Sequence, residues 1–105
     1  MLKPIPMFEL NEEFETSSIP LFTIFKDADR WPSGSISRVL TVREPNTVIL
    51  AFTDSSRVTI EVESLGAGRS SLRVLHELIT SQEALKLHKK FWRDYLKTVR
   101  KQVER

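Results

Sequence analysis

The feature that most constrains the fold is a long amphipathic segment near the C-terminal end of the sequence. Its apolar positions recur every three or four residues, and they are Leu85, His88, Phe91, Trp92, Tyr95, Leu96, Val99 and Val103. This period predicts an α-helix over residues 81–104, with a buried stripe rich in aromatic side chains. Thr80 with Glu83 three residues later predicts a capping box at its start. Such a helix cannot hide its apolar face alone, so the rest of the chain must cover it.

Five segments before the helix have the pattern of β-strands. They cover residues 8–16, 35–44, 46–54, 57–64 and 69–79, and several alternate apolar and polar residues. A short helix is predicted between the first two strands, with Ser17 or Ser18 as its N-cap and its end near Asp29. The LGAG turn predicts that the last two strands form an antiparallel hairpin. The order is therefore β-α-β-β-β-β-α, an α+β fold in which the sheet and the long helix cover each other.

Length and composition limit the classes of protein that this chain can be. Its 105 residues predict one domain, 1–105, with residues 1–7 as an N-terminal arm. The absence of cysteine excludes disulfides, thiolate metal sites and cysteine nucleophiles. The sequence has no run of about 18 apolar residues, as a membrane span requires, and its first ten residues lack the apolar core of a signal peptide. We therefore expect a cytoplasmic protein.

The charge of the sequence is uneven. Residues 81–105 carry eight basic and three acidic residues, a net charge of +5, whereas residues 1–80 have a net charge of −3. A basic helix occurs in some proteins that bind nucleic acid or acidic membranes. We favour instead a solvated helix face that complements an acidic sheet, and we expect neither nucleic acid nor a membrane as a partner.

The element order and several packing residues resemble the START-like, or SRPBCC, superfamily, which has the Bet v 1-like, helix-grip fold. Two segments carry the resemblance: the first helix with its ending D-A-D-R-W at residues 27–31, and the last hairpin followed by a helix with His88, Trp92, Leu96 and Val99. The most similar branch is that of homologues of the activator of the heat-shock chaperone ATPase. The resemblance implies a curved antiparallel sheet of about five strands wrapped on the C-terminal helix.

The chain is short for this superfamily. Where the usual members have further strands, often with another helix, only three residues separate Trp31 from Ser35. The resemblance therefore implies a reduced cavity between sheet and helix, too small for a role such as lipid transfer. Strand phase and this layout together predict the residues that line the cavity and contact a small hydrophobic ligand: Phe8, Glu12, Phe14, Phe22, Arg38, Leu50, Phe52, Val74, His76, Trp92 and Tyr95.

Glu12 and Arg38 stand out in this set because each shares its strand phase with large apolar side chains. A charge that faces a core is costly unless it is paired. We expect the two residues either to meet each other or to line a hydrated pocket. In the alternative, a β-bulge or a strand end turns them to solvent.

The two histidines, His76 and His88, lie on either side of the turn before the long helix. Their spacing is not that of a metal-binding motif, and a zinc site needs three or four ligands. The pattern favours histidines at the edge of the sheet–helix interface with one ring nitrogen hydrogen-bonded, and it predicts neither a metal nor a cofactor. The serines lie outside any nucleophile motif, so we expect no catalytic residues.

Three functions are compatible with the sequence. The first is a non-enzymatic START-like domain that binds a small hydrophobic ligand, or none. The second is a protein-interaction module, either a homodimer or a chaperone-type partner, that uses the edge or the outer face of the sheet. A short sheet favours this second function, because a missing strand leaves an edge open to pairing. An enzyme of the cyclase or hydrolase kind is the least favoured.

Overall fold

The predicted element order is confirmed in the computed structural model, which describes residues 7–32 and 34–104. Most of the predicted N-terminal arm, residues 1–6, lies outside the described residues, as do residues 33 and 105. The elements are β1 Phe8–Phe14, α1 Ser18–Lys26, β2 Ile36–Arg43, β3 Thr47–Phe52, β4 Arg57–Gly66, β5 Arg69–Glu77 and α2 Gln82–Val103. A short 3₁₀ turn, Ala28–Arg30, follows α1.

The five strands form one antiparallel sheet in the order β1-β5-β4-β3-β2. The predicted hairpin joins β4 to β5, and Gly68 in its turn has a φ of +72°, which a side chain would strain. Because β1 pairs with β5, the first strand is one edge of the sheet and β2 is the other. The curved sheet with its long C-terminal helix is the predicted helix-grip α+β fold.

The start of α2 differs from the prediction by one residue. Ser81, not Thr80, is the N-cap: its backbone is extended, and its Oγ accepts a hydrogen bond from Ala84 N at 3.0 Å. Since Ala84 then occupies the third helical position, Glu83 is not placed to complete a capping box. The predicted capping box is therefore wrong, although the helix begins where its periodicity indicates.

The core lies between the sheet and the two helices. Both helices contribute buried side chains to one hydrophobic cluster. They are Leu21, Phe22, Ile24 and Phe25 of α1 and Trp92, Tyr95, Leu96 and Val99 of α2. Each such side chain stabilises the fold by about 1.5–3 kcal/mol relative to leaving it in water. Neither α1 nor α2 combines the length and the apolar character that crossing a membrane requires.

Candidate functional site

His76 is fully buried near the end of β5, on the phase of the strand that faces α2. Strands flank it on both sides, since Val58 of β4 and Phe8 of β1 are its partners in register. Its ring also lies 4.9 Å from the ring of Phe52, measured between centroids. A histidine in such a place needs hydrogen-bond partners within the protein.

The turn between β3 and β4 supplies one of these partners. Asp54 Oδ1 accepts hydrogen bonds from the backbone N–H of Ser56 at 3.0 Å and from its hydroxyl at 2.5 Å. Between them Ser55 adopts a φ of +72°, a conformation that is uncommon outside glycine. The backbone closes the turn through Phe52 N–H, which donates to Ser56 O at 2.9 Å. The turn thereby holds the buried Ser56 hydroxyl beside the end of β5.

The direction of each hydrogen bond at His76 follows from Trp92. An indole N–H is a donor only, and Trp92 Nε1 lies 3.0 Å from His76 Nδ1, so Nδ1 accepts. A neutral imidazole then carries its proton on Nε2, which donates to Ser56 Oγ at 2.8 Å. The Ser56 hydroxyl in turn donates to Asp54. Each donor in this series therefore has one acceptor.

His88 joins the group from α2. Its Nε2 lies 2.6 Å from Asp54 Oδ2, and its ring centroid lies 4.2 Å from that of His76. Burial alone would raise the pKa of Asp54, but hydrogen bonds from Ser56 and His88 lower it to about 2. Burial, and then the proximity of His88, lowers the pKa of His76 to about 3. We call Asp54, Ser56, His76, His88 and Trp92 the histidine network.

The histidine network has the residue types of a serine hydrolase but not their arrangement. A nucleophilic serine gives its proton to a neighbouring histidine, whereas His76 Nε2 donates to Ser56. The Ser56 side chain is also fully buried, out of reach of a substrate. Within residues 7–32 and 34–104, no three His, Cys, Asp or Glu side chains come together as a metal site requires. The arrangement joins a turn, a strand and a helix.

The predicted cavity-lining residues separate into two groups. Nine of them lie together in the interior: Phe14, Phe22, Leu50, Phe52, Val74, His76, Trp92 and Tyr95 are buried, and Phe8 is half-buried against the same core. Glu12 and Arg38 lie apart from these nine, at the surface. That the interior group contacts a ligand stays a prediction.

Both surface charges have a physical reason for their position. Glu12 is on the inward phase of β1, but β1 is an edge strand, and Arg100 of α2 meets it there with Nη2 3.2 Å from Glu12 Oε2. Arg38 follows an irregularity in the β2–β3 register after Ile36, which shifts the strand phase. The two charges therefore do not meet each other. The alternative of a β-bulge describes Arg38, whereas Glu12 is exposed because β1 is an edge strand, not because it lies at a strand end.

A surface groove of about 400 Å³ lies beside α2. It is lined by Arg30, Trp31, Pro32, Phe91, Asp94, Tyr95, Thr98 and Gln102. Tyr95 is 6% exposed, and its hydroxyl has no hydrogen-bond partner among the described residues. Burial raises the pKa of this phenol. A buried hydroxyl without a partner is costly, so a ligand in the groove that displaced the side chains over it would gain a hydrogen bond.

Three residues of these contacts were not among the predicted site residues: Asp54, Ser56 and Arg100. The signal for the first two was present, because an Asp in a short turn between two strands commonly accepts hydrogen bonds from the backbone two residues later. That the turn would meet His76 and His88 depends on the sheet register, which the sequence does not state. Arg100 lay on the polar side of a predicted helix, without an indication that it would reach β1.

Comparison with solved structures identifies the fold. The chain is similar to an HSP90 activator from Plasmodium falciparum, with 21% identity and a TM-score of 0.68 over 82% of this chain and 86% of that chain. It is similar to an AHSA1-like protein from Rhizobium etli, with 20% identity and a TM-score of 0.65 over 95% and 84%. An uncharacterized protein from Bacillus thuringiensis has 14% identity and a TM-score of 0.57 over 90% and 96%.

These similarities show that the chain has the START-like, helix-grip fold that the sequence resemblance implied. No family model matches the sequence, and no curated protein matches it. Similarity of fold at this level of identity does not transfer an activity.

Proposed function

We propose that this chain is a non-enzymatic protein-interaction module with a START-like fold. The observation that carries the proposal is the packing of the buried Trp31 side chain between the sheet and α2. The ring centroid of Trp31 lies 5.6 Å from that of Trp92, 5.9 Å from that of Phe52 and 5.0 Å from that of Tyr95. Aromatic rings at these distances are in contact. The chain's own side chains therefore take the place where a ligand between sheet and helix would lie.

A chaperone-type partner is the form of interaction that we favour. One protein of similar structure is named as an HSP90 activator, which supports this choice. The histidine network adds support for a non-enzymatic role, since its hydrogen bonds are used within the fold. Binding to a large partner needs only surface, and it is compatible with a filled core.

A homodimer through the free edge of β2 is the other form. Leu40 and Val42 on this strand are 37% and 42% exposed, although both are apolar. An edge strand with unpaired backbone groups and apolar side chains favours pairing with another strand. Sedimentation of Val42→Lys beside the unchanged chain tests this form, because a charge on the paired edge would return a dimer to monomer.

Native mass spectrometry of the purified chain, followed by titration with purified HSP90, tests the proposal. We expect the bare mass of the chain or of its dimer, and a saturable complex with HSP90. A small molecule retained in stoichiometric amount, together with no complex and no dimer, would contradict the interaction module. The same spectra report both outcomes, so one preparation is sufficient.

The groove beside Tyr95 supports a second candidate, a site for a small ligand with a hydrogen-bond acceptor. The unpartnered Tyr95 hydroxyl is the specific observation in its favour. Tyr95→Phe separates the two candidates. If a ligand accepts a hydrogen bond from the hydroxyl, the variant should no longer bind that ligand. If no ligand does so, the variant should be as stable as the unchanged chain or more stable, because a buried unpaired group has been removed.

A further inference from the structure

The outer side of α2 carries six exposed cations on one face. They are Lys86, Lys89, Lys90, Arg93, Lys97 and Lys101, which we call the basic face. Their three- and four-residue spacing places them side by side along the helix. From first to last they span about 22 Å, at roughly 1.5 Å for each residue. Exposed Glu83 and Asp94 are the acidic residues of α2, so the basic face has a strong net positive charge.

No member of the basic face forms an ion pair within the part of the chain that the structure describes. The cations that do so are Lys26, Arg30, Arg69, Arg73 and Arg100. Several acidic side chains of β1 are already engaged: Glu9 by Arg73, Glu13 by Arg69 and Glu12 by Arg100. The expectation that the basic helix complements an acidic sheet therefore applies to Arg100, not to the basic face.

Like charges on neighbouring turns of a helix repel each other. Lys86 and Lys90, Arg93 and Lys97, and Lys97 and Lys101 are each four residues apart, the spacing at which like charges destabilise a helix. Carboxylates of a second molecule would turn this repulsion into attraction along the whole face. We infer that the basic face binds an acidic segment of a partner protein; this inference rests on the proposed interaction function and names the partner's chemistry.

The composition of the face favours an acidic peptide over nucleic acid. Five of its six cations are lysines, whereas bidentate contacts with phosphate favour arginine. The aromatic side chains of α2 are Phe91, Trp92 and Tyr95, and they pack against the core. Base stacking, on which proteins that bind single strands rely, is therefore not offered by this face.

One apolar residue extends the same argument. Leu87 is 68% exposed and precedes Lys90 by three residues, which makes the two neighbours on the helix surface. A segment in which acidic and apolar residues alternate could contact both. A single exposed leucine is too little apolar surface for a helix to insert into a membrane interface.

Fluorescence anisotropy on the full chain tests the inference. The probe is a labelled peptide of about ten residues, long enough to follow the face when extended, in which glutamate and leucine alternate. The control peptide has glutamine in place of glutamate. We expect the acidic peptide to bind, and its affinity to fall when NaCl rises from about 50 mM to about 300 mM. The control peptide should not bind.

Charge-reversal variants locate the binding. Arg93→Glu with Lys97→Glu should weaken binding about tenfold, because two attractive contacts become repulsive. The matched control is Arg38→Glu with Arg57→Glu, which changes the net charge equally on exposed sheet positions and should change binding less than about twofold. Circular dichroism confirms that all variants are folded.

Each of three results would overturn the inference: equal weakening by both double variants, equal binding of the glutamine peptide, or tighter binding of single-stranded DNA or phosphatidylserine vesicles than of the acidic peptide. Peptide binding together with a failure of purified HSP90 to bind would instead contradict the chaperone partner alone. An HSP90 complex that Arg93→Glu with Lys97→Glu leaves unchanged, without peptide binding, would contradict this inference and leave the proposed function in place.

Discussion

The two sides of α2 differ in how folding treats their polar groups. On the inner side, His88 and Trp92 belong to the histidine network, in which Asp54, Ser56 and His76 exchange hydrogen bonds within the fold. On the outer side, the basic face makes no ion pair within the described part of the chain. Residue types that resemble a catalytic site are therefore hydrogen-bonded to each other here, whereas the lysines and the arginine of the basic face are the groups for which we propose a partner.

Removal of Asp54, the hydrogen-bond acceptor at the centre of the histidine network, should have the largest effect on stability. Asp54→Ala takes the acceptor from two donors of Ser56 and from His88. We expect the free energy of unfolding to fall by about 3 kcal/mol, since three hydrogen bonds to a partly exposed carboxylate are lost and each contributes about 1 kcal/mol. Urea denaturation measures the change. Asp29→Ala, which removes an exposed carboxylate, is the control, and a similar small loss in both variants would show that the network contributes little.

The next largest effect should be the change of stability with pH that the titration of His76 causes. Folding holds the pKa of His76 at about 3, below its ordinary value of 6.5. The unfolded chain therefore binds one more proton between these values, so stability is lost as the pH falls from about 6.5, by at most about 1.4 kcal/mol for each pH unit. His76→Gln removes this titration. Between pH 7 and pH 5 the stability difference between the two proteins should narrow by about 2 kcal/mol.

Parallel stability curves for the unchanged chain and His76→Gln would contradict a neutral, buried His76.

A separate loss of stability, due to Asp54, should follow at lower pH. The pKa of Asp54 is about 2, below its ordinary 3.8, so its contribution is present above pH 3.8 and is lost as the pH falls toward 2. Denaturation curves of Asp54→Asn, in which this carboxylate is absent, should lack that step.

Arg100 sharpens the comparison because it is the cation of α2 that folding does pair. Its guanidinium lies 4.3 Å from the centre of the Phe14 ring and donates to Glu13 O at 3.0 Å and to Glu104 Oε2 at 2.9 Å. Arg100→Met keeps the apolar packing and removes these bonds, which should cost about 1 kcal/mol. Lys101→Met, on the basic face, is the matched control and should change stability by less than about 0.5 kcal/mol. Equal losses of stability in the two variants would contradict the distinction between paired and unpaired cations of α2.

The smallest expected effect is a gain in stability, whereas the preceding variants lose stability. Arg93→Glu places a carboxylate four residues from both Lys89 and Lys97. Two repulsive pairs become attractive, so the variant should be more stable by about 0.5 kcal/mol. Thermal unfolding at low salt measures the gain, which should shrink at about 1 M NaCl. A loss of stability at low salt would mean that the cations of the basic face do not repel each other.

Periodic patterns predicted most of the fold. Alternation located the strands, and the apolar repeat from Leu85 to Val103 located α2, because both patterns report directly which face is buried. Arg38 shows why alternation predicts some positions wrongly. The prediction that it faces the core assumes an unbroken register, whereas the β2–β3 pairing is irregular after Ile36. The expectation that Glu12 meets Arg38 or lines a hydrated pocket is wrong, because Glu12 is exposed and its partner is Arg100.

The histidine network was less predictable for a different reason. Its members come from a turn, a strand and a helix, and their meeting depends on how three elements pack. No motif of fixed spacing relates His76 and His88 to Asp54 and Ser56. Local signals describe one element at a time, whereas a hydrogen-bond network is a property of several elements together.

One measurement compares the two sides of α2 directly. Amide and indole signals in a ¹H–¹⁵N spectrum of the full chain can be followed while the acidic peptide is added. We predict that the amides of the basic face, from Lys86 to Lys101, shift until saturation, while the Trp92 indole signal, held by His76, stays in place. Shifts centred on the Trp92 indole, or binding without shifts on the basic face, would contradict this prediction.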